Sequence, residues 1–446
     1  MLKRNHVTCV KRRLCFVLLN ILIVWAAMAP SVSVAQPIAF ASRGGFPSKV
    51  SVTSETVETI AADSIAVAVD PAKLGFDVSK LDQIDVEIES QIKAGKIVGC
   101  SALILKNHEI AYSKVFGNRD QKRSLPVEFD TIWRIYSMSK PITSVAVMQL
   151  VEVDKIKLDE PASTYLPEFK ELKVFKPGRD GDADSTVECK SEMTVRDLLR
   201  HTSGLTYGFF GNSKVDQAYR RSTLLITDEK IENTITKLSK IPLLYQPGTR
   251  WHYGVSTDVL GRIVEVASGM TFREYLQKHI FDPLDMNDTF FTVPKAKQSR
   301  FAEMYRFDSG KLVPVSMASS FRFLAEDNVF YSGGGGLCST TRDYVRFSQM
   351  LLEGGELDGE RLLKTSSVQE MTKNQLPKGA GGVGFKFGLG FRIDNQGHYF
   401  WGGAAGTRFW VDPKRKMITV FMIQINPYQG GHGERFRKLA YEALKK

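Results

Sequence analysis

What this sequence has little of narrows its chemistry early. Only five cysteines occur among 446 residues. Cys9 and Cys15 fall in a leader region, while Cys100, Cys189 and Cys338 form an odd, widely spaced set without a metal-ligand pattern. A disulfide framework and a cysteine-bound zinc are thereby excluded; an oxidising compartment would permit one disulfide, and nothing requires it. Cys100 and Cys338 lie in apolar or glycine-rich surroundings and read as small core residues. The seven histidines show no paired ligand spacing, so no metal is implied, and no cofactor is called for. The glycine run 333–336 has neither a Walker lysine nor a strand-to-helix frame, which excludes a phosphate cradle. The run Asp180-Gly181-Asp182-Ala183-Asp184 lacks the later glycine and glutamate of a calcium loop and reads as a solvated loop. No G-x-S-x-G elbow is present, which argues against an α/β-hydrolase.

Long apolar runs are confined to the N-terminus. Lys3, Arg4, Lys11, Arg12 and Arg13 precede the apolar residues 14–27, and Ser33-Val34-Ala35 follows, the pattern of a secretory signal peptide over residues 1–35. Ala39-Phe40-Ala41 offers a second cleavage site. The expected location is periplasmic or secreted, with no membrane span after cleavage; an uncleaved anchor is the main alternative, for which the run is short. Cleavage after Ala35 lowers the net charge from +11 to +6. That surplus is spread out, so no nucleic-acid partner is expected.

What remains is enough for a large core. At 43% hydrophobic and 10% aromatic content the chain is globular, and its length suits one catalytic unit with two lobes. Residues 36–73 read as a leader or linker, and the folded part begins near Leu74. Residues 81–88 are amphipathic at helical spacing. Two apolar runs, 98–105 and 110–116, flank Lys106-Asn107-His108-Glu109 as a β-hairpin. Residues 137 to about 290 are mostly helical in pattern, broken by Pro161, Pro167, the loop 178–186, Pro242 and Pro247-Gly248. Short β-rich runs return at 388–393, 399–401, 407–411 and 417–425, and 434–446 closes as an amphipathic helix. The expected fold is α/β of the α+β kind: a central antiparallel sheet assembled from both termini, flanked by helices, with an inserted, mainly helical lobe.

Within this frame Ser137-Met138-Ser139-Lys140 carries the chemistry. Residues three apart share a helix face, so Ser137 and Lys140 can meet as nucleophile and base. Pro141 is tolerated only near a helix start, which puts Ser137 where free N–H groups and the helix dipole favour an oxyanion. Ser139 has no lysine at that spacing and reads as a packing residue.

Longer motifs make the reading specific. The stretch from Ile135 to Pro141, then Lys157-Leu158-Asp159-Glu160-Pro161, then residues 194–205 around His201-Thr202-Ser203-Gly204, then Gln246-Pro247-Gly248-Thr249-Arg250-Trp251-His252-Tyr253-Gly254 resemble the β-lactamase-related serine hydrolases. These comprise class C β-lactamases, D-alanyl-D-alanine carboxypeptidases and family VIII carboxylesterases. The resemblance runs from about residue 78 to the C-terminus and implies a β-lactamase/transpeptidase-like fold and a covalent acyl-enzyme.

It also implies roles. Ser137, Lys140 and Tyr253 are the catalytic set, and the amides of Ser137 and Ala404 the oxyanion hole. Trp401, Gly402, Gly403, Tyr207 and Val255 are the substrate-binding candidates. The family's Tyr-x-Asn is Tyr253-Gly254-Val255 here, and its Lys-Thr-Gly is Trp401-Gly402-Gly403. Both departures remove groups that help hold a lactam amide and carboxylate, which favours a carboxylesterase over a β-lactamase or a D-alanyl-D-alanine carboxypeptidase. The partner class is a small-molecule ester, lactam or peptidoglycan-like substrate; a non-catalytic peptidoglycan-binding or scaffold role is the alternative. His201 opens a structural turn in the family pattern, and His252 either tunes the pocket or packs. The loop 207–215 and the segment 321–331 are expected to line an apolar acyl pocket.

Overall fold

The computed structural model describes residues 69–178, 184–225, 228–315 and 322–445. The expected signal peptide, most of the expected linker and residues 180–183 of the acidic loop lie outside the described residues. What is described lies within one compact unit, Ile60–Lys446.

The strand Gly99–Lys106 is buried along almost its whole length, as its apolar run requires of a central strand. It pairs antiparallel with Met417–Met422 on one side, from Ser101 opposite Met422 to Lys106 opposite Met417, and with Glu109–Asp120 on the other. Asn107 and His108 between the hairpin strands both have positive φ, the backbone a tight two-residue hairpin demands. The eight-stranded sheet runs Lys386–Phe387, Arg392–Ile393, Tyr399–Gly402, Arg408–Asp412, Met417–Met422, Gly99–Lys106, Glu109–Asp120, Leu125–Pro126. Every neighbouring pair is antiparallel. The sheet is therefore built from both ends of the chain.

Alternation divides its side chains between two layers. Cys100, Ala102 and Ile104, with Met417 and Phe421, join Leu81, Ile84 and Ile88 of the helix Val78–Lys93 and Phe436, Leu439 and Ala440 of the helix His432–Glu442. Leu103, Leu105, Ile418, Val420 and Met422 face the larger core of the inserted lobe. Cys100 and Cys338 are buried and, like Cys189, carry free thiols, so no disulfide forms among the described residues.

The insert is less uniformly helical than its sequence suggests. The ribbon Lys173–Lys176 with Ser185–Glu188 interrupts it, because Val174 and Phe175 pack inward while the second strand lies on the surface. Helices also continue past residue 290, at Thr341–Leu352 and Thr365–Thr372. The longest two helices of the insert, Ser139–Glu152 and Ser256–Ser268, pack against each other and position the site.

Asp343, in the first turn of Thr341–Leu352, is buried and accepts bonds from the Asp288 amide at 2.8 Å and the Thr289 hydroxyl at 2.9 Å. Burial pushes its carboxyl up to about 6. The folded value lies above the unfolded one, so the associated stability is present below pH 4 and is lost as pH rises through about 6. Asp343→Asn keeps an acceptor oxygen and removes the ionisation. Between pH 4 and pH 7 the stability difference should move in favour of the variant by up to about 3 kcal/mol. Denaturant melts at both pH values measure this, and parallel pH curves for the two proteins would contradict it.

Candidate active site

The nucleophile candidate sits at a sharp join. The short strand Trp133–Arg134 pairs with Cys338–Ser339, and the chain then turns directly into a 3-10 turn, Tyr136–Met138, and the helix Ser139–Glu152. Tyr136 takes φ 42° to make that turn, a left-handed conformation costly for a bulky residue and held here by burial of its ring against Phe323. Ser137, next in the chain, stays partly exposed, while Lys140 one turn on is only 1% exposed.

A buried ammonium must find acceptors for its protons. Lys140 Nζ donates to the Gly334 carbonyl at 2.6 Å and to the Tyr207 hydroxyl at 2.8 Å, and lies 3.4 Å from Ser137 Oγ. The Tyr253 hydroxyl is hydrogen-bonded to the same Oγ at 2.7 Å, and Lys140 Nζ stands 4.7 Å from the centre of the Tyr253 ring. Ser137, Lys140 and Tyr253, separated by up to 116 positions in the chain, thus converge on one hydroxyl. Gly254 permits this, since a Cβ there would come 2.7 Å from the Leu205 carbonyl.

The strand Tyr399–Gly402 brings the third element. Trp401 points toward Tyr253, ring centres 5.4 Å apart. Gly403 presses its backbone against the residue two before the nucleophile: a Cβ there would lie 2.4 Å from the Ile135 carbonyl. Ala404 follows on an exposed turn, and its N–H has no hydrogen-bond partner among the described residues. A serine hydrogen-bonded by a tyrosine and a buried lysine, with a free amide two residues past the strand packed on its turn, is the layout of an acyl-transfer site.

The sequence model of the Beta-lactamase family matches residues 84–443. The chain belongs to the β-lactamase family. Protein Rv1367c of Mycobacterium tuberculosis is 31% identical over 369 residues, 78% of this chain and 90% of that one. The esterase EstB of Burkholderia gladioli is 26% identical over 397 residues, 82% and 96% of the two chains. Among solved structures, EstCE1, described as a hydrolase with promiscuous acyltransferase activity, superposes with TM-score 0.71 at 22% identity over 81% of this chain and 99% of its own. The last comparison shows the β-lactamase/transpeptidase-like fold.

Not every residue singled out from sequence serves this β-lactamase family site directly. Val255 is 1% exposed and belongs to the main hydrophobic core, so it presents no side chain to a substrate; the helix Ser256–Ser268 starts immediately after it and carries it inward. The space beside Gly402 is filled by the Arg408 guanidinium on the opposite face of the strand from Trp401. Tyr207 holds the lysine through its hydroxyl. Its ring stacks on Phe209 at 5.2 Å, and burial, then the neighbouring Tyr253, pushes its hydroxyl well above the usual tyrosine range. Tyr207 therefore stays protonated. Phe209 and Phe210 are 64% and 56% exposed beside it, an apolar surface that reaches the Tyr253 ring through Phe210 at 6.1 Å.

His201 is buried, with φ 57° and its carbonyl accepting the His252 amide at 2.8 Å. Burial, then the charge of Lys140, pushes its imidazole well below the usual histidine range, so it stays neutral and packs 4.9 Å from the Tyr253 ring. His252 Nε2 pairs with Thr206 Oγ1 at 3.0 Å. Ser139 packs, its hydroxyl accepting from the Leu337 amide. Two residues of the site, Gly334 and Asp258, carry no local signal of their role. The glycine run lacks the frame of a phosphate cradle yet supplies the carbonyl that receives Lys140, and Asp258, five residues after Tyr253, is one polar residue in the helix Ser256–Ser268.

Proposed function

We propose that the chain is a secreted or periplasmic carboxylesterase acting through an acyl-enzyme on Ser137. The observation that carries the reading is the 2.7 Å bond between Tyr253 and Ser137 Oγ above a buried Lys140. Lys140 Nζ stands 4.7 Å from the Tyr253 ring centre, close enough for its charge to offset that of a phenolate. The phenolate takes the Ser137 proton as Oγ attacks the ester carbonyl. The Ser137 and Ala404 amides receive the oxyanion. Tyr253 then passes its proton to the leaving alkoxide and activates water for deacylation.

Ester is favoured over lactam because Trp401 replaces the family's lactam-holding lysine, and Val255, in the sequence position of its asparagine, turns into the core and offers the substrate no polar group. The exposed Phe209 and Phe210 favour an apolar acyl or aryl group. EstB is named an esterase and EstCE1 a hydrolase with promiscuous acyltransferase activity, which supports the same acyl-enzyme passing its acyl group to an alcohol as well as to water. Export is supported by the basic residues before the apolar run 14–27.

Initial rates on short p-nitrophenyl esters, nitrocefin and a D-alanyl-D-alanine peptide test the ordering. The esters should be turned over fastest. Faster nitrocefin hydrolysis would reverse the ordering, and failure of a fluorophosphonate to modify Ser137 would favour the non-catalytic binding role.

A further inference from the structure

Lys140 is buried and forms no ion pair among the described residues. A carboxylate nevertheless lies one residue behind it. Asp258, on the helix Ser256–Ser268, is fully buried. Its Oδ1 accepts the Gly334 amide at 3.1 Å and the Ser332 hydroxyl, and Ser332 Oγ in turn accepts the Gly335 amide at 3.1 Å. The carbonyl of the same Gly334 receives Lys140 Nζ at 2.6 Å. One peptide unit on either side of Gly334 Cα therefore links the carboxylate to the ammonium. The fit is tight, since a Cβ on Gly334 would lie 2.4 Å from Asp258 Oδ2.

Oδ2 itself has no hydrogen-bond partner among the described residues. A neutral Asp258 would carry its proton there as a buried donor without an acceptor, whereas the carboxylate satisfies both donors at Oδ1 and faces a buried cation. Burial leaves the carboxyl above the usual carboxylate range, with the Lys140 charge and the two bonds at Oδ1 pulling it back down.

We propose that Asp258 is the fixed counter-charge of Lys140, a positioning residue that clamps the Gly334 carbonyl onto the ammonium and keeps it protonated, so that Tyr253 receives the Ser137 proton. This rests on the esterase reading above. The titratable groups around the pair are Tyr207, Tyr253 and His201 facing Lys140, and Tyr207 facing Asp258. With Tyr207 protonated and His201 neutral, Asp258 is the negative charge that offsets Lys140 before Tyr253 ionises. In the acylation step the Ser137 O–H bond breaks, its proton goes to the Tyr253 phenolate oxygen, and the ester carbonyl electrons move to the oxyanion. Lys140 keeps its three protons throughout.

Asp258→Asn removes the charge and keeps an acceptor for Gly334 and Ser332. Losing a nearby negative charge favours deprotonation of both Tyr253 and Lys140. Both limbs of the kcat/KM against pH profile should therefore move to lower pH, by about one unit or more, while KM changes little. Unmoved limbs, or a uniform loss of kcat at every pH, would overturn the proposal, because a purely structural aspartate shifts neither limb. Stability provides a second reading that needs no activity. Lys140→Met leaves Asp258 uncompensated and Asp258→Asn leaves Lys140 uncompensated, so each alone should lower the melting temperature by several degrees. The double variant K140M/D258N should recover most of that loss, including when Asp258→Asn alone fails to fold. Additive losses in the double variant would refute the pairing, even if the chain hydrolyses no ester.

Discussion

Replacing Ser137 by alanine is expected to abolish ester hydrolysis and leave the protein folded. The side chain is partly exposed, and its described hydrogen-bond partners are Lys140 and Tyr253. It caps no helix, since the helix Ser139–Glu152 begins two residues later without a side-chain cap. Removing one hydroxyl therefore deletes the proposed nucleophile without opening a core cavity. Loss of a nucleophile that acts with its base as a unit lowers kcat by at least about ten-thousandfold. Melting temperature and circular dichroism should match those of the unaltered protein, and fluorophosphonate labelling should vanish. Hydrolysis that survives undiminished would end the assignment of Ser137.

Tyr253→Phe carries the next largest effect and separates the two base candidates. Phenylalanine keeps the ring contacts with Tyr207, Trp251, Trp401 and His201, so the cleft stays packed. The hydroxyl at 2.7 Å from Ser137 Oγ is lost, and with it the group proposed to take the serine proton and return it to the leaving alkoxide. Proton transfer by a positioned group is worth about a hundredfold to ten-thousandfold, and kcat should fall by that range with KM nearly constant. Activity within about threefold of the original would make Lys140 the principal base instead.

Much of the frame was legible because local patterning and burial agree. The hairpin around Asn107-His108, the strands near 399, 408 and 417, and the amphipathic first helix each announce themselves by period and turn residues. The ribbon at 173–188 was not legible, since its second strand is exposed and carries no apolar signal. The helices at Thr341–Leu352 and Thr365–Thr372 lie between the expected lobe and the returning strands, a stretch for which no element is expected from sequence.

At the site, spacing alone put Ser137 and Lys140 on one turn, and motif resemblance supplied Tyr253 and Trp401-Gly402-Gly403. Spacing could not say which way a side chain faces. Val255 turns into the core because a helix starts beside it, and Gly402 makes room for Arg408 because strand residues alternate.

By itself the sequence determined the kind of chemistry: a serine with a lysine three residues on, a tyrosine without its asparagine, and a tryptophan in place of a lysine. Those identities are local, and they survive any arrangement of the chain. Only the tertiary structure decided what surrounds the lysine. Tyr207, Gly334 and Asp258 lie 67, 194 and 118 positions from Lys140. A buried ammonium must be met by acceptors and a counter-charge wherever the fold can deliver them, and no local pattern records which distant residues those are.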